Sequence, residues 1–171
     1  MSKPKVALLV GSDSDIPTMQ EGIDVLKKLQ ISYALHIYSA HRTPDQTLQF
    51  AQTAHEQGFR VIIAGAGMAA HLAGVVAAHT LLPVIGVPME GKLQGLDALL
   101  STVQMPKGVP VGTVAIGKTG ALNAALLAAQ ILALSDEGLL KRLRSYRSSM
   151  ERDVLDKDKK LQRDARRFFK N

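Results

Sequence analysis

The chain alternates short, wholly apolar runs with segments whose apolar residues recur at helical spacing. Lys5 to Val10 is a run of strand length, and beyond a polar loop Ile16, Met19, Ile23 and Leu26 fall on one face of a helix. Ser32 to Tyr38 predicts a second strand. It is followed by Thr43-Pro44 with Gln46 three positions beyond Thr43, the spacing of a capping box with proline in the first helical turn. That helix is predicted to end near Gly58, a third strand to occupy Val61 to Ala64, and a third helix to run from Ala69 to Thr80. Val84 to Val87, Leu96 to Val103, Gly112 to Ile116 and Gly120 to Leu134 continue the series as strand, helix, strand and helix.

Strands that are apolar throughout belong in a sheet covered on both faces, and regular alternation with helices implies right-handed crossovers. The expected fold is therefore α/β: a doubly wound three-layer sandwich around a mainly parallel five-stranded sheet, flavodoxin-like or Rossmann-like. Residues 1–136 are expected to make the α/β part, which would carry any catalytic site. Residues 137–171 make a charged C-terminal helical arm of the same domain, with Leu139, Leu140 and Leu143 as a narrow apolar stripe. The helix from Gly120 to Leu134 is apolar all round, so it is either buried inside its own subunit or covered by self-association.

Composition narrows the function classes. With 171 residues, one core is expected, and 46% hydrophobic with 21% charged residues excludes a disordered chain. Without cysteine there is no disulfide, thiolate nucleophile or thiolate metal site, in keeping with a cytoplasmic location. The N-terminus lacks the phases of a signal peptide, and Gly120 to Leu134 is shorter than the roughly 20 residues that cross a bilayer, so no membrane partner is expected. The net charge of +6 sits wholly in the C-terminal segment: residues 1–136 hold nine Lys/Arg and nine Asp/Glu, whereas 137–171 hold twelve against six. Mixed signs along a helix read as a solvated face; a phosphate-backbone binding tail is the alternative.

In open parallel sheets the ligand crevice lies beyond the carboxyl ends of the strands. Three strand ends carry polar or glycine-rich loops. After the first strand, Gly11-Ser12-Asp13-Ser14-Asp15 opens a helix; Ser12 and the loop amides suit a phosphate, whereas the Asp15 carboxylate suits sugar hydroxyls, unless the segment is only a capping loop. After the second, Ser39-Ala40-His41-Arg42-Thr43 offers a guanidinium fork for phosphate beside an imidazole that exchanges protons near neutral pH, unless the pair is only a satisfied polar turn. After the third, Gly65-Ala66-Gly67-Met68-Ala69-Ala70-His71 lets backbone approach a ligand closely, and His71 either lines the pocket or caps the turn. This last loop also matches a dinucleotide fingerprint, with Ala70 in the third glycine's place. It lies on the wrong unit, however, and the nearest acid, Glu90, comes 25 positions after Gly65 rather than roughly 20. His36, His55 and His79 have no such setting, and no histidine–carboxylate spacing suits a metal.

At Gly11 to Asp15, Ser39 to Asp45, Gly65 to Leu72, Gln104 to Pro110 and Ala115 to Leu132 the sequence resembles the N5-carboxyaminoimidazole ribonucleotide mutase family of bacterial purine biosynthesis. The resemblance implies an isomerase without cofactor or metal that converts N5-carboxyaminoimidazole ribonucleotide to 4-carboxy-5-aminoimidazole ribonucleotide, with His41 as catalytic acid/base. It implies that Ser12, Asp15 and Arg42 bind the nucleotide and that Ser39, Ala40, Gly67, Ala69, Ala70, His71 and Leu72 line the pocket. It also implies a homo-octamer with sites at subunit boundaries. The related carboxylase class, which adds free carbon dioxide, usually has serine and asparagine where Ala69 and Ala70 stand here. Met68 replaces a usual glycine, and the Glu90 to Gln94 stretch is one residue shorter than usual. The readings from other classes are a dinucleotide-dependent oxidoreductase resting on Gly65, Gly67 and Ala70, and a nucleic-acid module resting on the tail.

Overall fold

The structure, a computed structural model, describes residues 5–168, and side chains as far as residue 164. The chain divides into two compact units, Met1–Leu132 and Ala133–Asn171. In the first, β1 (Val6–Val10), β2 (Tyr33–Ile37), β3 (Val61–Ala66), β4 (Val84–Pro88) and β5 (Gly112–Thr113) form one sheet in the order β2-β1-β3-β4-β5. Every pairing is parallel. The connecting helices are α1 (Ile16–Lys28), α2 (Pro44–Gln57), α3 (Leu72–Ala77), α4 (Leu96–Val103) and α5 (Gly117–Ala133). They lie on both faces, giving the doubly wound sandwich expected from the alternation.

Alternation along the central strands splits the core. Ala7, Leu9, Ile62 and Ala64 pack with Phe50, Ala51 and Ala54 of α2 and with Leu72, Ala73 and Val76 of α3. Val6, Leu8, Val10, Val61 and Ile63 are equally buried on the other face. There α1 and α5 approach so closely that a Cβ on Gly22 would stand 2.5 Å from the Ala121 carbonyl oxygen. β1, β3 and β4 are buried throughout, whereas β2 is a half-covered edge strand whose Ile37 is 51% exposed.

Several boundaries differ from the sequence reading. The capping box does not form: Thr43 precedes α2 without capping it, because its hydroxyl accepts from the Ser39 amide at 2.9 Å and donates to the Ser39 carbonyl at 3.1 Å. α3 is six residues rather than the Ala69 to Thr80 segment: the His71 amide bonds the Ala69 carbonyl at 2.8 Å, a three-residue turn in place of a helical one. β5 shrinks to two residues at the sheet edge, and α5 begins earlier, at Gly117. The all-round apolar character of α5 has an internal explanation: Ala121, Ala124, Ala125, Ala128 and Ala129 are buried, while Asn123 and Gln130 are exposed.

The second unit contains α6 (Glu137–Phe168), 32 residues long. The Asp136 carboxylate caps it by accepting from the Leu139 amide at 2.9 Å. From Glu151 to Asp164 every residue is exposed, including Val154, Leu155 and Leu161. Among the described residues no helix is long and apolar enough to cross a membrane.

Candidate active site

The registers Val10↔Ile37 and Val10↔Gly65 bring the carboxyl ends of β2, β1 and β3 level. The connection from β1 leads outward to β2 and that from β3 outward to β4, so the crevice between β1 and β3 is the topological switch point. The three loops singled out in the sequence all leave the sheet there.

Two consecutive residues of the middle loop tie the three together. Arg42 donates from its guanidinium to the Gly11 carbonyl at 2.6 Å. His41 Nε2 lies 2.9 Å from His71 Nδ1, with the rings edge to face at 84° and their centroids 5.0 Å apart. One of these nitrogens carries the shared proton while the other accepts it, so the protonation state of one ring sets the tautomer of the other. The remaining guanidinium donors of Arg42 are available to an anion.

The Ser39–Thr43 loop is built by its own polar groups. Besides the Thr43 hydroxyl bonds, the Thr43 amide donates to the Ser39 carbonyl at 2.9 Å and the Arg42 amide to the Ser39 hydroxyl at 3.1 Å. The Ser39 hydroxyl accepts in that bond, which leaves its proton for a ligand. In the first loop, the Ser12 hydroxyl donates to Asp13 at 3.0 Å and accepts from the Ser14 hydroxyl at 3.0 Å. Asp15 is half-buried. That burial raises its carboxyl above the usual 3.8, against a lowering by the Ser12 backbone and the Arg42 charge, while the Asp13 charge adds to the rise.

An open depression of about 350 Å³ is lined by Gly11, Ser12, Asp13, Ile37, Ser39, Arg42 and Thr43, a volume within the usual range of small-ligand sites. His41, His71 and Ala69 are exposed beside it. Ala40 and Gly67 are half-buried, whereas Ala70 and Leu72 are 2% and 3% exposed and offer almost no surface to a ligand. Leu72 belongs to the core cluster on α2 and α3. Among the described residues no three His, Asp or Glu side chains gather as metal ligands would.

The first glycine of the Gly65–His71 segment is explained by packing. Gly65 still belongs to β3, and a Cβ on it would meet Met89 Cε at 2.2 Å and Met19 Sδ at 3.1 Å. The glycine therefore makes room for two buried thioethers rather than for a pyrophosphate. Met19 and Met89, like the scaffold role of Thr43, carried no signal in the sequence beyond apolarity or capping preference.

A sequence model described as AIR carboxylase matches residues 5–153. The chain belongs to the AIR carboxylase family. Within reach of that family, a relative from Haemophilus influenzae named N5-carboxyaminoimidazole ribonucleotide mutase is 54% identical over 158 residues, 91% of this chain and 96% of that protein. One of the same name from Brucella melitensis is 56% identical over 153 residues, 89% of this chain and 94% of its own. Among solved structures, that of Treponema denticola PurE is 30% identical with a TM-score of 0.83, over 92% of this chain and 98% of that one.

Proposed function

We propose that this chain is an N5-carboxyaminoimidazole ribonucleotide mutase of purine biosynthesis, with His41 as its acid/base. The observation that carries the assignment of roles is the pair of consecutive residues His41 and Arg42. One is in contact with the small-residue loop and the other with the anion-binding loop, so phosphate and base of a single nucleotide can be served by one turn of chain. The name is supported by curated mutases more than half identical over about nine-tenths of the chain.

Arg42, Ser12 and the amides of the first loop take the phosphate, and the Asp15 carboxylate accepts from ribose hydroxyls. Ser39, Ala40, Gly67, Ala69 and His71 surround the imidazole ring, with the buried Ala70 and Leu72 forming the floor beneath them. In the reaction the carbamate N–C bond breaks and its electron pair stays on the exocyclic nitrogen, which takes up a proton. The released carbon dioxide accepts an electron pair from the adjacent ring carbon, and the proton on that carbon leaves. One proton is gained and one lost, so a group that donates first and accepts second closes the cycle, and His41 is placed for both.

His41, Arg42, Ala69 and His71 are exposed, and Leu93 just before α4 and Leu96, Leu100 and Val103 along it are exposed as well. We infer a homo-octamer in which neighbouring copies cover these apolar residues and close the sites, working in the cytoplasm; a sedimentation mass of a single copy would refute the assembly.

The reaction class is tested by supplying substrate labelled in its carbamate carbon in bicarbonate-depleted buffer. Label retained in the product is expected. Full exchange with added bicarbonate would assign the chain to the carboxylase class instead.

A further inference from the structure

Met68 carries two costs at once. Its φ of 54° lies in the left-handed region, where a residue with a Cβ is strained and where methionine, unlike asparagine or aspartate, has no short polar side chain to bond the local backbone. Its side chain is also 72% exposed, forgoing the burial an apolar group seeks. Glycine would meet neither cost. Strain of this kind persists only where the surroundings over-determine the backbone, and it gathers at ligand clamps.

The surroundings do fix the loop. The Met89 amide donates to the Ala66 carbonyl at 2.9 Å, the Gly11 amide to the Gly65 carbonyl at 3.2 Å and the His71 amide to the Ala69 carbonyl at 2.8 Å. From below, Met89 and Met19 fill the space that a side chain on Gly65 would take. The backbone of Met68 is thus held between Gly67 and Ala69, three residues before the His71 ring that meets His41, while its long unbranched side chain is left free.

We propose that Met68 is a substrate-covering residue, whose thioether chain closes over the reacting end of the bound nucleotide and keeps released carbon dioxide from water. The proposal rests on the mutase reading. A neutral, apolar intermediate that must stay put between two bond changes is retained by an apolar cover, and a flexible methionine can open for substrate and settle on it afterwards.

The test compares wild type with Met68→Gly, Met68→Ala and Met68→Leu, using substrate labelled in the carbamate carbon and excess unlabelled bicarbonate. Wild type retains the label; if it does not, the mutase reading itself fails, independently of the variants. Met68→Gly is expected to melt no lower than wild type, because the backbone strain is relieved. Both Met68→Gly and Met68→Ala are expected to lose label to the bicarbonate pool and to fall several-fold in kcat with little change in KM, and Met68→Leu to restore retention. Label retention in both truncated variants with kcat within about twofold of wild type would overturn the proposal. So would a change of sedimentation mass with retention intact, since Met68 would then serve an interface.

Discussion

The Ser39–Thr43 loop carries its own scaffold of hydrogen bonds, whereas the Gly65–His71 loop has few of its own and rests on side chains packed beneath it. In the first, Ser39 and Thr43 exchange bonds through amide, carbonyl and hydroxyl, and the Arg42 amide joins them. In the second, the geometry is set by two buried methionines and by ladder bonds from neighbouring strands. The difference suits the tasks proposed for them. A loop that moves protons and grips phosphate needs polar side chains held at fixed angles. One that shelters a small apolar intermediate needs low volume and close backbone approach, which glycine and alanine provide.

The comparison can be broken from either side. His41→Asn removes the proposed proton-transfer group of the polar loop and is expected to lower kcat by at least ~100-fold while product binding, followed by calorimetry, changes little. Unimpaired turnover would strip His41 of its role. Gly65→Ala attacks the packed loop instead: the new methyl must displace the chain end of Met89, at a cost of ~1 to 3 kcal/mol in chemical denaturation. Met89→Ala in the same chain should recover part of that loss, and strict additivity would mean the two do not touch. Thr43→Val deletes the hydroxyl that serves both polar groups of Ser39, and should cost ~1 kcal/mol and raise KM more than it lowers kcat.

The smallest effect is electrostatic. Burial raises the Asp15 carboxyl above 3.8, so the folded state holds that proton more tightly than the unfolded chain does. The stability linked to it is present below 3.8 and is lost as pH rises through the higher folded value. Asp15→Asn should therefore stabilise the free protein at neutral pH by about half a kcal/mol or less after solvent screening, and flatten its pH dependence above 3.8. Weaker nucleotide binding should accompany it. A variant that binds nucleotide as wild type does would remove Asp15 from the site.

Much of this was legible in the chain. The apolar run at β1, the 16-19-23-26 spacing of α1 and the whole of α4 fall where periodicity puts them, because burial of a strand or a helix face demands those residue types. The candidate loops were legible too, since each follows an apolar strand in an alternating series and must leave the sheet at the same end. What failed were readings that depend on local preference. Thr43 has the spacing of a cap yet spends its hydroxyl on Ser39, and the alanine-rich stretch after Gly67 satisfies a helical pattern without becoming helix until Leu72.

The parallel direction of the strands, the sites of the loops and the charge of the arm followed from the sequence alone, because hydrophobic period and topology leave few arrangements open. Only the tertiary structure decided that Gly65 is small to admit Met89 and Met19, that Met68 is held left-handed in the open, and that His41 and Arg42 reach in two directions from one turn. Those are relations between residues distant in sequence, and a side chain's partner across a fold is set by packing, which no local pattern encodes.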